Sequence, residues 1–205
     1  MSAHAEEFQT LCQGVHYWSF YNPAVKCEVG STAIQVPNGL VVIDPTPLAE
    51  PAWKELLEIA PLRAILLTNG NHVRVAAELR KQHSVPIAIA PDTRRDITEL
   101  KADVLLMPNE LLYGIAAIPI PGATPGETAF FAPSGVMVIG DAVINTSLEV
   151  GLEFLPDKYC TDAAQNRESL KKLLDYDFHT LIFAHGAPLT NHAKEKLSAL
   201  LKTHS

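Results

Sequence analysis

The sequence predicts an α/β protein in which two β-rich halves, each carrying helices, pack sheet against sheet with the helices outside. Three observations predict it. Apolar segments of strand length alternate with segments of helical period through the middle of the chain. The second half returns to short apolar strands divided by Pro/Gly turns. The 205 residues, 47% hydrophobic and 19% charged, can bury a core without disulfides or other staples.

The first strand signal is the aromatic run at 15–20, with Tyr17, Trp18 and Phe20, closed by the turn residues Asn22 and Pro23. Residues 28–36 form a second, carrying Val29, Ala33, Ile34 and Val36. Pro37-Asn38-Gly39 then turns the chain into the fully apolar strand 40–43, a hairpin that ends at Asp44. At 51–59, Trp53, Leu56, Leu57 and Ile59 sit among acidic residues in the pattern of an amphipathic helix. A buried strand follows at 64–67, and a helix at 73–82 with Val75, Ala76 and Leu79 on one face. A strand at 85–90 precedes a short helix from an Asp92 cap to Leu100. Later come a strand at 115–120, a Pro/Gly-rich loop at 121–126, and strands at 128–132 and 136–139 about the turn Pro133-Ser134-Gly135. A helix from Asp162 to about residue 174, a strand at 180–183 and a closing helix at 191–201 complete the chain. No linker, charge run or low-complexity segment interrupts it, so a single domain over 1–205 is expected.

Charge narrows the function classes. Sixteen Lys and Arg against 23 Asp and Glu give a net charge of −7 with no basic cluster, so neither nucleic acid nor an anionic membrane is an expected partner. No apolar run is long enough to cross a bilayer, and the first ten residues, with Glu6 and Glu7, do not read as a signal peptide. The three cysteines, Cys12, Cys27 and Cys160, lack C-x-x-C spacing and read as idle thiols of a reducing compartment. A cytoplasmic protein is expected.

Polar residues at the ends of buried strands are held rigidly enough for chemistry. Four such places occur: Asp44 after Ile43, the loop Thr68-Asn69-Gly70-Asn71-His72-Val73-Arg74, Asp141 after Ile139-Gly140, and His185-Gly186 after Ala184. Together with the Pro121-Gly122-Ala123-Thr124-Pro125-Gly126 loop, these segments stand in an order that resembles the metallo-β-lactamase superfamily, the group that includes glyoxalase II. The resemblance runs from about Gly30 to Gly186. It implies a four-layer αββα sandwich of one domain with a metal site at one edge of the sheets.

The site departs from that family's pattern. Its H-x-H-x-D-H loop is replaced by Asn69, Asn71, Val73 and Arg74 at the ligand positions, and the histidine of its Pro-Gly-His loop by Ala123. Asp141 and His185 alone remain, two of seven positions. Amides are weak zinc ligands, and Val73 and Ala123 cannot ligate. An uncompensated Asp141 would be a costly buried charge, so Arg74 is expected to take the metal's place in a bidentate pair with it. Asn69, Asn71 and His185 are expected to complete the network. His72 reads either as a replacement ligand or base, or as a helix-start residue bonded to backbone. Asp44 is expected to hold the neighbouring loop. His83, His179, His192 and His204 read as surface residues.

The expected pocket therefore gathers Asn69, Asn71, His72, Arg74, Asp141 and His185. The resemblance implies a hydrolase-like protein that has lost most metal ligands and is not a two-metal enzyme. The alternative is a divergent hydrolase of ester, thioester or phosphodiester substrates using a single metal near Asp141 and His185. No cofactor is expected on the first reading, and one zinc or iron ion, held by Asp141 and His185, on the second. The expected partner is a small-molecule ligand in the edge pocket; the oligomeric state is left open.

Overall fold

The computed structural model describes residues 4–97, 100, 102–147 and 149–203. Its strands are β1 (Gln9–Cys12), β2 (Val15–Asn22), β3 (Cys27–Val36), β4 (Gly39–Ile43), β5 (Leu62–Leu66), β6 (Ile87–Ile89), β7 (Val104–Leu105), β8 (Leu111–Leu112), β9 (Ile115–Pro119), β10 (Thr128–Ala132), β11 (Val136–Ile139), β12 (Val143–Ser147), β13 (Gly151–Phe154) and β14 (Thr180–Phe183). The α-helices are α1 (Glu50–Ile59), α2 (Ala76–His83), α3 (Pro91–Asp96), α4 (Ala163–Leu170) and α5 (Ala193–Lys202). One sheet orders its strands β1 to β7 in sequence, and the second runs β14-β11-β10-β9-β8. β12 and β13 form a separate hairpin.

Side-chain alternation along each strand sorts the core into three layers. On β4, Val41 and Ile43 face inward, where with Ala64 and Leu66 of β5 they meet Phe130, Val138 and Ile182 of the other sheet. Leu40 and Val42 face the other way, onto Trp53 and Leu56 of α1 and Ala76 and Leu79 of α2. The second sheet repeats the rule: Met137, Ile139, Leu181 and Phe183 turn outward onto Leu170 of α4 and onto Leu197 and Leu201 of α5. The result is helix, sheet, sheet, helix, the αββα sandwich. Strand β4 and residues 64–66 of β5 are buried on both faces, which is why they read as continuous apolar runs rather than alternating ones.

Two predicted boundaries move. Helix α2 starts at Ala76 rather than Val73, because a 3-10 turn over Gly70–His72 occupies the preceding residues. α3 ends at Asp96, short of Leu100; residues 98 and 99 of that expectation lie outside the described residues, as does His204. Strand β1, the short strands β7 and β8 and the hairpin of β12 and β13 carried no sequence signal that separates them from loops. No described helix is long and apolar enough to cross a membrane.

The two sheets are tied by backbone at one edge. Gly30 N–H of β3 donates to Ala184 O (2.9 Å), Gly186 N–H to Glu28 O (3.3 Å), and Thr128 N–H of β10 to Thr68 O (2.8 Å). This is the edge at which β4, β5, β11 and β14 end. Gly186 sits there at φ +99°, and a Cβ at its position would run into the Asn145 carbonyl. Gly114 has a similar φ of +82° with open space around it. An alanine in the left-handed region costs roughly 1–2 kcal/mol from conformation alone. Gly186→Ala is therefore expected to destabilise the protein by clearly more than Gly114→Ala, measured by urea unfolding. Equal losses would contradict the tight packing of this edge.

Candidate metal centre

The loop after β5 is organised by its own amides. Asn69 Oδ1 accepts Asn71 N–H (2.9 Å) and caps the 3-10 turn, as asparagine does where a chain must turn before a helix. That turn sends His72 into the interior, 1% exposed, while half-buried Val73 packs with the outer helix layer. The capping bond also fixes which way the amide points. Asn69 Nδ2 faces two carboxylates, donating to Glu127 Oε2 (2.7 Å) and to Asp141 Oδ2 (3.1 Å). Asn71 Nδ2, at the solvent edge, donates to the same Asp141 oxygen (3.2 Å).

The other oxygen of Asp141 faces two imidazoles. Oδ1 lies 3.3 Å from His72 Nε2 and 3.1 Å from His185 Nε2, and the two nitrogens are 3.4 Å apart. Behind His72, Asp44 Oδ2 stands 3.0 Å from Nδ1, and Thr68 Oγ1 stands 2.8 Å from it. Asp44 also accepts the Thr68 amide (2.8 Å) and hydroxyl (2.6 Å), so one carboxylate holds both the loop and the ring, in keeping with the loop-holding role expected of it. Behind His185, Nδ1 meets Cys27 Sγ at 3.4 Å.

These three atoms fit a metal ion. Zinc bonded at about 2.0–2.2 Å in tetrahedral geometry has ligand atoms about 3.3 Å apart. The three observed edges, 3.1, 3.3 and 3.4 Å, describe one face of such a tetrahedron. Among the described residues, His72, Asp141 and His185 are the group of metal-binding type whose donor atoms converge. Both imidazoles present Nε2 and have their Nδ1 engaged by another group, the outer-shell arrangement that fixes a ligand's tautomer.

Electrostatics bind the cluster together. Burial alone would lower the His72 pKa, but Asp44 and Asp141 on either side outweigh it and push it up to about 9. Burial would raise Asp141, yet His72 and His185 hold its carboxyl well below the usual range. His185, also opposed by burial, is raised by its bonds to Asp141 and Cys27. Glu127, buried and close to Asp141, is pushed up to about 8 despite donors from Thr124, Asn69 and the Ala142 amide.

The structure thus brings Asn69, Asn71, His72, Asp141 and His185 together, and corrects one expectation. Arg74 does not pair with Asp141. At φ +42° it turns toward β3 and β4, where Nη1 donates to Gly30 O (2.7 Å) and Asp44 O (2.9 Å). The strand-end carbonyls claim the guanidinium, and the imidazole of His72 stands against Asp141 in its place. Sequence reasoning missed Glu127 and Cys27. A glutamate directly after Pro-Gly and at the mouth of an apolar strand was the available signal for the first.

Without metal, the raised pKa of His72 has a definite consequence. A group protonated more tightly when folded stabilises fully below its unfolded pKa of about 6.5 and loses that contribution as pH rises through about 9, here roughly 3 kcal/mol. Glu127, raised toward about 8, acts in the same direction. Chelator-treated protein is therefore expected to lose stability to urea between pH 6.5 and 9.5, with a smaller loss in His72→Gln. A gain in stability over that interval would contradict the assignment.

The sequence profile of the metallo-β-lactamase superfamily matches residues 11–204. A metallo-β-lactamase from Pontibacter korlensis superposes with a TM-score of 0.74 at 15% identity, over 97% of this chain and 99% of that one. The metallo-β-lactamase FIM-1 from Pseudomonas aeruginosa, in its mono-zinc form, gives 0.75 at 17% identity over 98% and 97%. TTHA1623, in a di-iron-bound form, gives 0.65 at 25% identity over 85% and 94%. No curated protein matches the sequence. With the profile spanning nearly the whole chain and the layered fold shared along its length, the chain belongs to the metallo-β-lactamase superfamily.

Proposed function

We propose that the chain is a single-metal hydrolase whose ion is held by His72, Asp141 and His185. The observation that carries this reading is the triangle of Nε2, Nε2 and Oδ1, with edges matching a zinc tetrahedron. An ion of zinc or iron bound there supplies a Lewis acid and a water of lowered pKa. The chain's own groups do the rest. Asp44 anchors His72 through Nδ1, and Asn69 and Asn71 hold the far oxygen of Asp141. His185 and Asp141 are the partly open members of the group, with 18% and 9% of their side chains exposed, so this is the face a substrate reaches.

The other half of the family's site is filled rather than open. Where the family carries imidazoles, Asn69 and Asn71 give amide N–H groups to Asp141, and Glu127 accepts the second N–H of Asn69 and the Ala142 amide. That arrangement supports one ion and not two.

Charge narrows the substrate class. A cleft of about 210 Å³, lined by Ala90, Leu106, Met107, Pro119 and Glu127 among others, adjoins the site only through Glu127. The net charge of −7 favours uncharged acyl esters or thioesters over phosphodiesters.

A second reading rests on His72 standing between two carboxylates. An imidazolium there balances Asp44 and Asp141 without any ion, and the protein would be a metal-free binding member of the family. Metal analysis separates the two. After chelation and zinc loading, the first reading expects one zinc per chain. His72→Ala and Asp141→Ala should each weaken binding by more than about 100-fold, Asp44→Asn by roughly 10–100-fold, and Asn71→Ala should leave the stoichiometry at one. Steady-state hydrolysis of a small acyl thioester should rise on zinc loading and fall again on chelation. Near-zero zinc after loading would overturn the hydrolase reading and leave the second.

A further inference from the structure

The face of His185 that a metal does not use carries chemistry of its own. Cys27 opens β3 at the rim of the site and is half-buried. Its Sγ lies 3.4 Å from His185 Nδ1, and His185 Nε2 lies 3.1 Å from Asp141 Oδ1. Thiol, imidazole and carboxylate therefore stand in line, with the carboxylate on the nitrogen remote from the sulfur. This is the order of groups in which a base is held in the correct tautomer and an adjacent nucleophile is activated. Cys27 is the one thiol hydrogen-bonded to an imidazole among the described residues; Cys160 gives its own to Leu155 O at 3.6 Å.

A second observation points to the same place. Arg74 is buried, its Nη1 is occupied by two carbonyls, and its Nη2 is left without any hydrogen-bond partner. Cys27 and Tyr17 are among the groups whose charge this guanidinium feels. The Nη1 bond to Gly30 O fixes this cation to the strand that carries Cys27.

The geometry points to Cys27 as a nucleophile toward small activated acyl groups in the metal-free protein, with His185 as its base. His185 Nδ1 takes the Sγ–H proton as Sγ bonds the carbonyl carbon. The bond from that carbon to the leaving oxygen or sulfur breaks, and the leaving group departs with the proton from Nδ1. Water then gives a proton to Nδ1 and attacks the acyl carbon. The carbon–Sγ bond breaks and Sγ regains the proton. Asp141 accepts from Nε2–H throughout and keeps Nδ1 facing the sulfur. None of this requires the metal reading: with no ion on Nε2, that nitrogen keeps its proton for Asp141 and Nδ1 is free to act as the base.

The test is made on chelator-treated protein, so that failure to bind metal leaves it unaffected. With p-nitrophenyl acetate, a burst of up to one equivalent of nitrophenolate is expected, with the acetyl group on Cys27 by peptide mass spectrometry. The burst should be absent in Cys27→Ser. With limiting iodoacetamide, Cys27 should react roughly 100-fold faster than Cys12 and Cys160 in the same molecule, the lower end of what general-base assistance provides. That advantage should disappear in His185→Gln. The comparison among three thiols needs no variant and reads out even if a substitution prevents folding. An acetyl group on another residue, no burst, or a Cys27 no faster than the other two thiols would overturn the proposal.

Discussion

The organisation of the site turns on how one carboxylate is shared. Asp141 gives Oδ2 to the amides of Asn69 and Asn71 and Oδ1 to the imidazoles of His72 and His185. A carboxylate buried at the end of a strand cannot stand alone, because the cost of an unpaired buried charge exceeds what the surrounding packing supplies. Every neighbour can be understood as an answer to that constraint. Two amides neutralise one side with hydrogen bonds, and two rings face the other side with their Nε2 atoms. The difference between the sides, donor-filled on one and capable of ligation on the other, is the reason a single ion is the occupant we propose.

The fold supplies the rigidity this division needs. Asp44, Thr68, Asp141 and His185 all lie within two residues of the ends of strands buried on both faces, and the sheets are cross-linked by backbone hydrogen bonds at that edge. The 3-10 turn then decides which side chain of the loop enters. Capping by Asn69 rotates His72 inward and Val73 outward, so a histidine that is not at a ligand position of the family's motif reaches the place where a ligand is needed. The loss of the motif's histidines and the arrival of His72 are linked through this local turn.

Much of the fold was legible because the long strands and helices carry strong periodicity. β2 to β5, β9 to β11 and β14 are apolar runs bounded by turn residues, and α1 and α5 show one apolar stripe each. The short strands β7 and β8 are two residues long, below the length at which a period can be read. At the site, the strand-end positions of Asp44, Asp141 and His185 were readable from order alone. The partner of Asp141 was not. Arg74 matched it in charge, but charge matching ignores backbone direction, and the left-handed φ at Arg74 points its side chain at the carbonyls of Gly30 and Asp44. Cys27 was missed because it reaches the site from the other sheet, in a strand with no local motif, and Glu127 because the neighbouring Pro-Gly loop was read for its missing histidine alone.

The account rests on the claim that the histidine side of Asp141 holds one ion and the amide side holds none. Anomalous diffraction at the zinc edge, from crystals of the full chain soaked in zinc, tests it most directly. The expected result is a single peak bonded to Nε2 of His72, Nε2 of His185 and Oδ1 of Asp141, with Asn69, Asn71 and Glu127 bare of metal. No peak at that triangle, or a peak on the amide side between Asp141 and Glu127, would contradict it.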